Sequence, residues 1–167
     1  MSDQQPYKIE RTIEGVEIRR YPPMVLATVR EMPDNEAFGI LFKYISGNNR
    51  SARCAAGERI AMTAPVFSAS DSFSFAMPPS YSIDTAPVPL DARSVLERMP
   101  KRRLAALRFS GTAPEQRVAA KSRELLDTLA RHELRVLGLP VLMRYNAPFT
   151  PGFMRRNEVG VELLPAG

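Results

Sequence analysis

The stretch that decides the fold is residues 145–163, YNAPFTPGFMRRNEVGVEL. Its first half contains Pro148, Pro151 and Gly152, so it predicts neither a helix nor a regular ladder of strand hydrogen bonds. From residue 157 to 163 polar residues alternate with small or apolar ones, which predicts a half-buried strand. Arg155 and Arg156 join the two halves. The stretch therefore predicts a proline-stiffened aromatic loop anchored to the start of a strand.

The first half of the chain predicts a hairpin, a strand, a helix and two further strands. Residues 8–22 alternate on either side of a Glu14-Gly15 turn, which is typical of a hairpin, and residues 25–30 continue as a strand. Residues 33–47 predict a helix that Asp34 or Asn35 caps and Gly47 ends. Residues 59–67 and 72–78 predict strands. The spacing i, i+3, i+4, i+7 places four apolar residues on one helix face: Phe38, Leu41, Phe42 and Ile45.

The second half repeats this order. Residues 102–111 predict a strand, residues 114–138 a helix that stops at Gly138, and residues 140–146 another strand. The apolar face of this second helix is formed by Val118, Leu125, Leu126 and Leu129. An offset of 78 aligns Pro100 with Pro22, and an offset of 81 aligns Met143 with Met62.

These patterns predict an α+β fold built from two strand-helix-strand-strand halves, residues 7–80 and 81–165, related by a pseudo-twofold axis. The halves would join their strands into one antiparallel layer or barrel with both helices against it. A ligand cleft is then expected on the axis between the halves. The alternative is a coincidental alternation of helices and strands.

Length and composition indicate one domain over residues 1–167. The chain is 44% hydrophobic and 25% charged, as is usual for a globular domain. No apolar run is long enough for a membrane span, and the N-terminus lacks a secretory pattern, so we expect a cytoplasmic protein. Cys54 is the one cysteine, which excludes an internal disulfide and a cysteine-based zinc site.

The net charge of +5 is compatible with nucleic acid, a membrane surface or an anionic small molecule as partner. The basic residues occur in pairs and triplets, and no long basic block, zinc finger, RNP or helix-turn-helix pattern is present. We therefore expect no nucleic acid as partner.

Catalytic motifs are missing from the sequence. It has no GxSxG elbow, P-loop, GxGxxG or HExxH, and His132 is the one histidine that could serve as a base in a triad. Three glutamates lie near aromatic or apolar segments, where a buried carboxylate could act as a base: Glu58, Glu158 and Glu162. The sequence favours a protein that is not an enzyme.

Five blocks in one order resemble the SOUL/heme-binding protein family over about residues 7–163. They are EIRRYPPMVLATV, AFGILFKYISGNN, RIAMTAPV, RFSG and the opening stretch. The resemblance implies a distorted antiparallel β-barrel flanked by two helices, similar to bacterial effector-binding domains. It also implies non-catalytic binding of heme or a related tetrapyrrole in a shallow hydrophobic groove, as carrier, buffer or sensor.

The resemblance also assigns groove residues. On the first helix Phe38 and Phe42 would stack on the macrocycle, and Lys43 would pair with a propionate. The alternative is that both phenylalanines are core residues, because they share a helix face with Leu41 and Ile45. The opposite wall would come from the C-terminal loop: Phe149, Thr150, Phe153 and Met154. Some members carry a lysine where Thr150 stands, so one propionate partner is absent here.

Two methionines and the histidine have alternative interpretations. Met62 and Met143 predict either core packing or the lining of an apolar ligand site, since methionine fills both. His132 predicts a boundary residue of the second helix, or an axial ligand of heme iron. Some family members use no strong axial ligand, so binding does not require His132.

The family commonly has tryptophan where this chain has Gly160, and the chain contains no tryptophan. Glycine there predicts either repacking by a bulky neighbour or extra interior room. Arg155 and Arg156 are interpreted as structural, with Glu158 as partner. Two other functions stay open: an effector-binding module for another apolar molecule, and an enzyme that uses a pocket glutamate.

Overall fold

The computed structural model describes residues 3–146 and 150–165, and the chain divides into two compact units. The first unit comprises Met1–Gln5 and Pro23–Pro100, and the second comprises Pro6–Pro22 and Lys101–Gly167. The helices are α1 (Asp34–Ile45) and α2 (Glu115–Arg131), with a 3-10 turn at Gly152–Met154. In chain order the strands are β1 (Asp3–Gln4), β2 (Lys8–Ile13), β3 (Val16–Tyr21), β4 (Met24–Arg30), β5 (Asn49–Arg50), β6 (Thr63–Ala64), β7 (Val66–Ser68), β8 (Ser72–Ala76), β9 (Val88–Pro89), β10 (Ser94–Met99), β11 (Arg102–Ser110), β12 (Val136–Arg144) and β13 (Arg156–Leu163).

In the first unit α1 covers one face of antiparallel strands in the order β10-β4-β8-β7. Its core forms where the alternate residues Val25, Ala27 and Val29 of β4 meet the buried face of α1. Phe73 and Phe75 of β8 complete this core. Two short ladders, β1 with β6 and β5 with β9, border the same unit.

In the second unit α2 covers antiparallel strands in the order β2-β3-β11-β13-β12. Leu125 and Leu129 of the helix are buried against alternate residues of β11 and β13, and Val118 and Leu126 pack at the margin of this core. The predicted apolar face of this helix is therefore confirmed.

Part of the strand order is similar in the two units. A strand precedes a helix, and two later strands pair beside it in reversed order: β4-β8-β7 in one unit, where β5 and β6 intervene in the chain, and β11-β13-β12 in the other. β10 and β2 each pair with a single neighbour, so the strands do not close into a ring among the described residues. The α+β class with antiparallel strands and two helices is confirmed. The barrel, the internal repeat and the half-repeats 7–80 and 81–165 stay predictions.

α1 begins and ends close to the predicted residues. The predicted cap by Asp34 or Asn35 is wrong, because Asp34 is the first helical residue, Pro33 stands in the N-cap position and no side chain caps the helix. The Asp34 carboxylate instead accepts a hydrogen bond from Ser68. At the other end Gly47, at a φ of 122°, and Asn48 donate backbone hydrogen bonds to the last turn of the helix. This is a Schellman ending, and Gly47 stops the helix as predicted.

The predicted end of α2 at Gly138 is wrong. The helix stops at Arg131, and Glu133 adopts the left-handed conformation with a φ of 57°. Leu134 donates its backbone N–H to the Leu129 carbonyl, which closes a second Schellman ending with a glutamate in place of glycine. Gly138, at a φ of 76°, instead lies in β12, where the pairing with β13 shifts register.

Two strand predictions also need correction. Residues 59–67 form no continuous strand, because β6 and β7 stop on either side of Pro65, which has no N–H to donate. The sequence patterns also missed β10, the edge strand at Ser94–Met99. In the described part of the chain, no helix is long and apolar enough to cross a membrane.

Candidate functional site

The exposed end of the α1 face forms an aromatic ledge. The rings of Phe38 and Phe42, one helical turn apart, lie 6.0 Å apart between centroids at 25° to each other. Phe38 is half-buried and meets the edge of Phe73 at 6.4 Å and 86°. Phe42 is 53% exposed. Phe38 therefore belongs partly to the core, whereas Phe42 offers a ring face to a ligand.

Beside this ledge lies a shallow pocket of about 210 Å³ in the first unit. Its lining is entirely apolar, and three of the predicted site residues, Phe38, Phe42 and Met62, contribute to it. All the lining residues come from α1, β7, β8 and the segment before β6: Phe38, Leu41, Phe42, Ile45, Met62, Val66, Phe73 and Phe75. The structure thus brings Phe38, Phe42 and Met62 together, as a site for an apolar group.

Lys43 lies on another side of α1. It follows Phe42 by one residue, which is about 100° around the helix. Its charge acts on Asp91, whose pKa is lowered to about 2. Hydrogen bonds from Arg93 are the main cause of this shift, and the charge of Lys43 makes the smallest contribution. Lys43 is thus part of an exposed charged group at the flank of α1 and does not line the pocket.

The predicted residues of the C-terminal loop belong to the second unit. Phe149 lies outside the described residues. The backbone carbonyl of Thr150 accepts a hydrogen bond from Arg155 Nε at 2.8 Å. Phe153 is 83% exposed and Met154 is 62% exposed, both on the 3-10 turn. Their assignment to a ligand stays a prediction.

His132 occupies the C-cap of α2. Its Nε2 lies 2.7 Å from a carboxylate oxygen of Glu14, and Arg131 donates a hydrogen bond to the other oxygen at 3.0 Å. These contacts lower the pKa of Glu14, with His132 as the first cause. The histidine therefore ties the helix end to the β2–β3 turn. Its role as an axial ligand stays a prediction.

The second unit also contains a buried ion pair that the sequence patterns did not indicate. Arg19 is 2% exposed and Glu158 is 0% exposed. The two guanidinium nitrogens Nη1 and Nη2 donate to Glu158 Oε1 and Oε2 at 2.7 and 2.5 Å. Glu17 accepts from the same guanidinium at 2.6 Å, and the Tyr7 ring stacks 4.2 Å from it. A bidentate, stacked arrangement of this kind requires arginine rather than lysine.

Further side chains complete this cluster around Glu158. Arg156 donates to Glu158 Oε2 at 3.2 Å and its guanidinium lies 4.1 Å from the centre of the Tyr145 ring, and the Tyr145 hydroxyl donates to Oε1. Burial alone would raise the pKa of Glu158, but the hydrogen bonds and charge of Arg19, then Tyr145 and Arg156, outweigh it and leave this pKa lowered. Burial, followed by the charge of Glu158, raises the pKa of Tyr145. Glu158 is thus an ionised carboxylate held by structural contacts, in agreement with the interpretation of Arg156.

The space beside Gly160 is filled. A Cβ at this position would lie 2.5 Å from Met143 Cε and 3.1 Å from Leu104 Cδ2. Met143 is completely buried. Of the two alternatives for the missing tryptophan, repacking by a bulky neighbour is therefore the one observed, and Met143 is that neighbour.

The loop that carries Cys54 is tied together at Glu58. The Glu58 carboxylate accepts hydrogen bonds from Tyr81, from Ser51 at 2.7 Å and from Arg53 at 2.6 Å, and these lower its pKa, with Tyr81 as the first cause. Cys54 is exposed. Among the described residues, no three His, Cys, Asp or Glu side chains are grouped as a metal site would need.

Sequence reasoning could have found the Arg19 cluster from one signal only. In the alternation of β3, Glu17, Arg19 and Tyr21 share a face opposite to Val16 and Ile18. A polar face on an edge hairpin is ordinarily solvated, so the pattern gave no indication of burial.

The comparisons with known proteins agree with this architecture. A family model described as SOUL heme-binding protein matches residues 2–162, which confirms the resemblance. No curated protein matches the chain significantly.

Solved structures with the same fold are distant in sequence. The crystal structure of the EcmrR C-terminal domain has a TM-score of 0.63 at 10% identity, covering 96% of this chain and 99% of that one. A hydrolase from Listeria innocua has a TM-score of 0.59 at 10% identity, covering 93% and 94%. The structure of SAV2435 bound to tetraphenylphosphonium has a TM-score of 0.51 at 10% identity, covering 96% and 94%. At such identities these likenesses concern the fold alone.

Proposed function

The chain belongs to the SOUL heme-binding protein family, and on that premise we propose that it binds heme or a related tetrapyrrole without catalysing a reaction. It would act as a carrier, buffer or sensor. The observation that carries this proposal is the aromatic ledge of Phe38 and Phe42 beside a wholly apolar pocket.

The size of the pocket supports a shallow mode of binding. Pockets that enclose a drug-sized ligand measure about 300–1,000 Å³, whereas the enclosed space here is only about 10 Å³, since the 210 Å³ includes open solvent. A macrocycle would therefore lie across the mouth of the pocket, with one face stacked on the exposed ring of Phe42. The carboxylates of the ligand would stay outside the pocket, because its lining offers them no hydrogen-bond donor.

The polar contacts belong to the same proposal. Lys43, at the flank of α1, would meet a propionate only if the ligand extends past Phe42, and that propionate would then compete with Asp91 for the Lys43 ammonium. Thr150, Phe153 and Met154, together with Phe149, keep their family-based assignment to ligand binding as part of the proposal.

The test is a titration with hemin and with iron-free protoporphyrin IX. We expect saturable binding of both with similar affinity, because stacking on Phe42 needs no iron. Phe42→Ala should weaken both about fivefold to tenfold, since half the burial of a phenylalanine side chain contributes roughly 1 kcal/mol. Leu90→Ala, another exposed apolar residue of the first unit, is the matched control and should bind normally.

His132→Ala separates the two modes of heme binding. Unchanged hemin binding supports stacking without this histidine as ligand. Loss of hemin binding with retained protoporphyrin binding would contradict it and assign the iron to His132. Absence of saturable binding to either porphyrin would overturn the proposed function.

The fold likeness to the EcmrR C-terminal domain and to ligand-bound SAV2435 supports a second candidate, an effector-binding module for another apolar molecule. A cationic ligand is disfavoured here, because the chain has a net charge of +5 and its fully buried carboxylate Glu158 is already paired with two arginines. Equal affinity for varied neutral dyes and porphyrins would favour this candidate.

An enzymatic role has less support. Glu58 and Glu158 have lowered pKa values and accept several hydrogen bonds, so both are poor general bases near neutral pH. We further propose a cytoplasmic location, in keeping with a single exposed Cys54, and no nucleic acid partner.

A further inference from the structure

The 3-10 turn Gly152–Met154 presents two large apolar side chains to solvent. Phe153 and Met154 are among the most exposed large hydrophobic residues of the described chain, at 83% and 62%. The turn packs on the loop at Gly111 and Thr112. Gly152 lies against the methyl group of Thr112, and the Arg155 carbonyl accepts a hydrogen bond from the Gly111 N–H at 3.1 Å. The apolar pair therefore stands on a fixed base with its side chains outward.

Arginines surround this turn. Arg155 follows it directly and donates to the carbonyl of Thr150. Arg117 reaches the Thr112 carbonyl at 3.4 Å on the loop that supports the turn. Arg144 lies opposite Asn157 at the end of β12, next to Arg156 at the start of β13. The turn thus has a basic surround made of Arg117, Arg144 and Arg155, whereas Arg156 is 20% exposed and bound to Glu158.

The charge at this end of the second unit is positive. Residues 110–118, 144–146 and 150–158 contain these four arginines and two glutamates, a net of +2. Arg156 and Glu158 are paired with each other and largely buried, so the surface keeps Arg117, Arg144 and Arg155 against Glu115, which is again a net of +2. The N-terminus of α2, which follows Gly111 and Thr112, adds its partial positive charge.

We propose that the 3-10 turn docks on an anionic lipid surface. Phe153 and Met154 insert at the level of the headgroups, and the basic surround is attracted by the negative surface potential. Adjacent exposed aromatic and thioether side chains favour a lipid surface over a nucleic acid, because methionine has no base-stacking or phosphate contact to offer. This inference stands on the second unit and does not rest on porphyrin binding at α1.

Co-sedimentation with lipid vesicles tests the proposal. The full chain is mixed with vesicles of phosphatidylcholine alone or of phosphatidylcholine with phosphatidylserine, without porphyrin. We expect binding to the anionic vesicles only, and weaker binding as salt rises. Phe153→Ser with Met154→Ser should reduce the partition coefficient at least about tenfold, since two apolar side chains lose their insertion.

Two further variants separate insertion from charge. Arg117→Gln should reduce partition about fivefold, the effect of one arginine near an anionic surface. Leu90→Ser removes an apolar residue of the first unit whose exposure, 58%, is close to that of Met154, and it should bind vesicles like the parent chain. Thermal melting should be unchanged in the Phe153/Met154 variant, because both side chains are exposed.

The outcomes are distinct. Vesicle binding that is lost with the Phe153 and Met154 substitutions and kept in Leu90→Ser supports the proposal. Equal vesicle binding by the parent chain and the Phe153/Met154 variant would overturn the proposal, because charge alone would then explain the attraction. Binding to duplex DNA or to RNA without binding to anionic vesicles would also overturn it. Because Phe153 and Met154 are also assigned to the porphyrin site, Phe42→Ala separates the two functions: it should weaken porphyrin binding and bind vesicles like the parent chain.

Discussion

Replacing Arg19 by methionine should destabilise the protein strongly. Methionine fills much of the space of the arginine but removes both bidentate bonds to Glu158, at 2.7 and 2.5 Å. The carboxylate then stays buried with Arg156 at 3.2 Å and the Tyr145 hydroxyl as partners. Removing one partner of a buried ion pair costs about 3–5 kcal/mol, a large part of the roughly 5–15 kcal/mol that stabilises an ordinary domain.

The assay is urea denaturation followed by circular dichroism at pH 7, extrapolated linearly to water. The double variant Arg19→Met with Glu158→Met is the decisive comparison. It removes both fully buried charges and leaves only the partly exposed Glu17 and Arg156 without these partners, so we expect it to be more stable than Arg19→Met alone by at least about 1 kcal/mol. A cost of the single change below about 1 kcal/mol, or a double variant whose loss equals the sum of the two single losses, would refute the reasoning.

The pH dependence of the free energy of unfolding tests the same cluster, because the direction of the change with pH is predicted. In the parent chain the folded pKa of Glu158 is lowered from 4.5, so its contribution to stability is complete above that value and is lost as pH falls through the folded pKa. Without Arg19, burial disfavours the ionised form of Glu158 more strongly, so its folded pKa is higher than in the parent chain. Protonation of Glu158 then removes the buried charge and its free-energy cost. The difference in stability between parent and Arg19→Met should therefore shrink from pH 7 towards pH 4. A constant difference would assign the loss to packing.

Three further changes have expected outcomes. Glu133→Gly should raise the melting temperature by about 2–4 °C, because glycine adopts the φ of 57° without the roughly 1 kcal/mol penalty of a side chain, and an unchanged melt would contradict this. Gly160→Trp should cost about 1–3 kcal/mol in urea denaturation through overlap with Met143, and adding Met143→Ala should recover part of it unless the two sites are independent. Phe38→Ala should lower the melting temperature because the ring packs on the core, whereas Phe42→Ala should leave it nearly unchanged, and equal losses would rule out the distinction between core and ligand surface.

The sequence predicted the elements whose burial follows a simple period. The α1 stripe is confirmed because its four apolar residues all line one pocket. The hairpin around Glu14-Gly15 is confirmed because both residues adopt positive φ, which this kind of turn requires. In both cases the decisive interactions are local, so the pattern contains the information.

Features that depend on distant partners could not be read from the pattern. The carboxylate that permits Arg19 to be buried comes from Glu158, 139 residues away. The end of α2 was misplaced because Gly138 is the residue that ordinarily supplies a left-handed conformation, whereas Glu133 adopts it here with Leu134 packed against the helix core. In each case a tertiary contact offsets a local cost.

The two clusters of the chain differ in what they leave available to a ligand. An ionised carboxylate has about four acceptor positions, and Glu158 receives four hydrogen bonds, two from Arg19, one from Arg156 and one from Tyr145. No acceptor position is left there for a substrate, a catalytic water or an organic cation, so the buried charge serves the fold. The α1 ledge is the opposite case, because Phe42 keeps half of its surface uncovered beside an apolar pocket. A ligand that buries this surface gains binding free energy, and the proposed function is therefore assigned to α1.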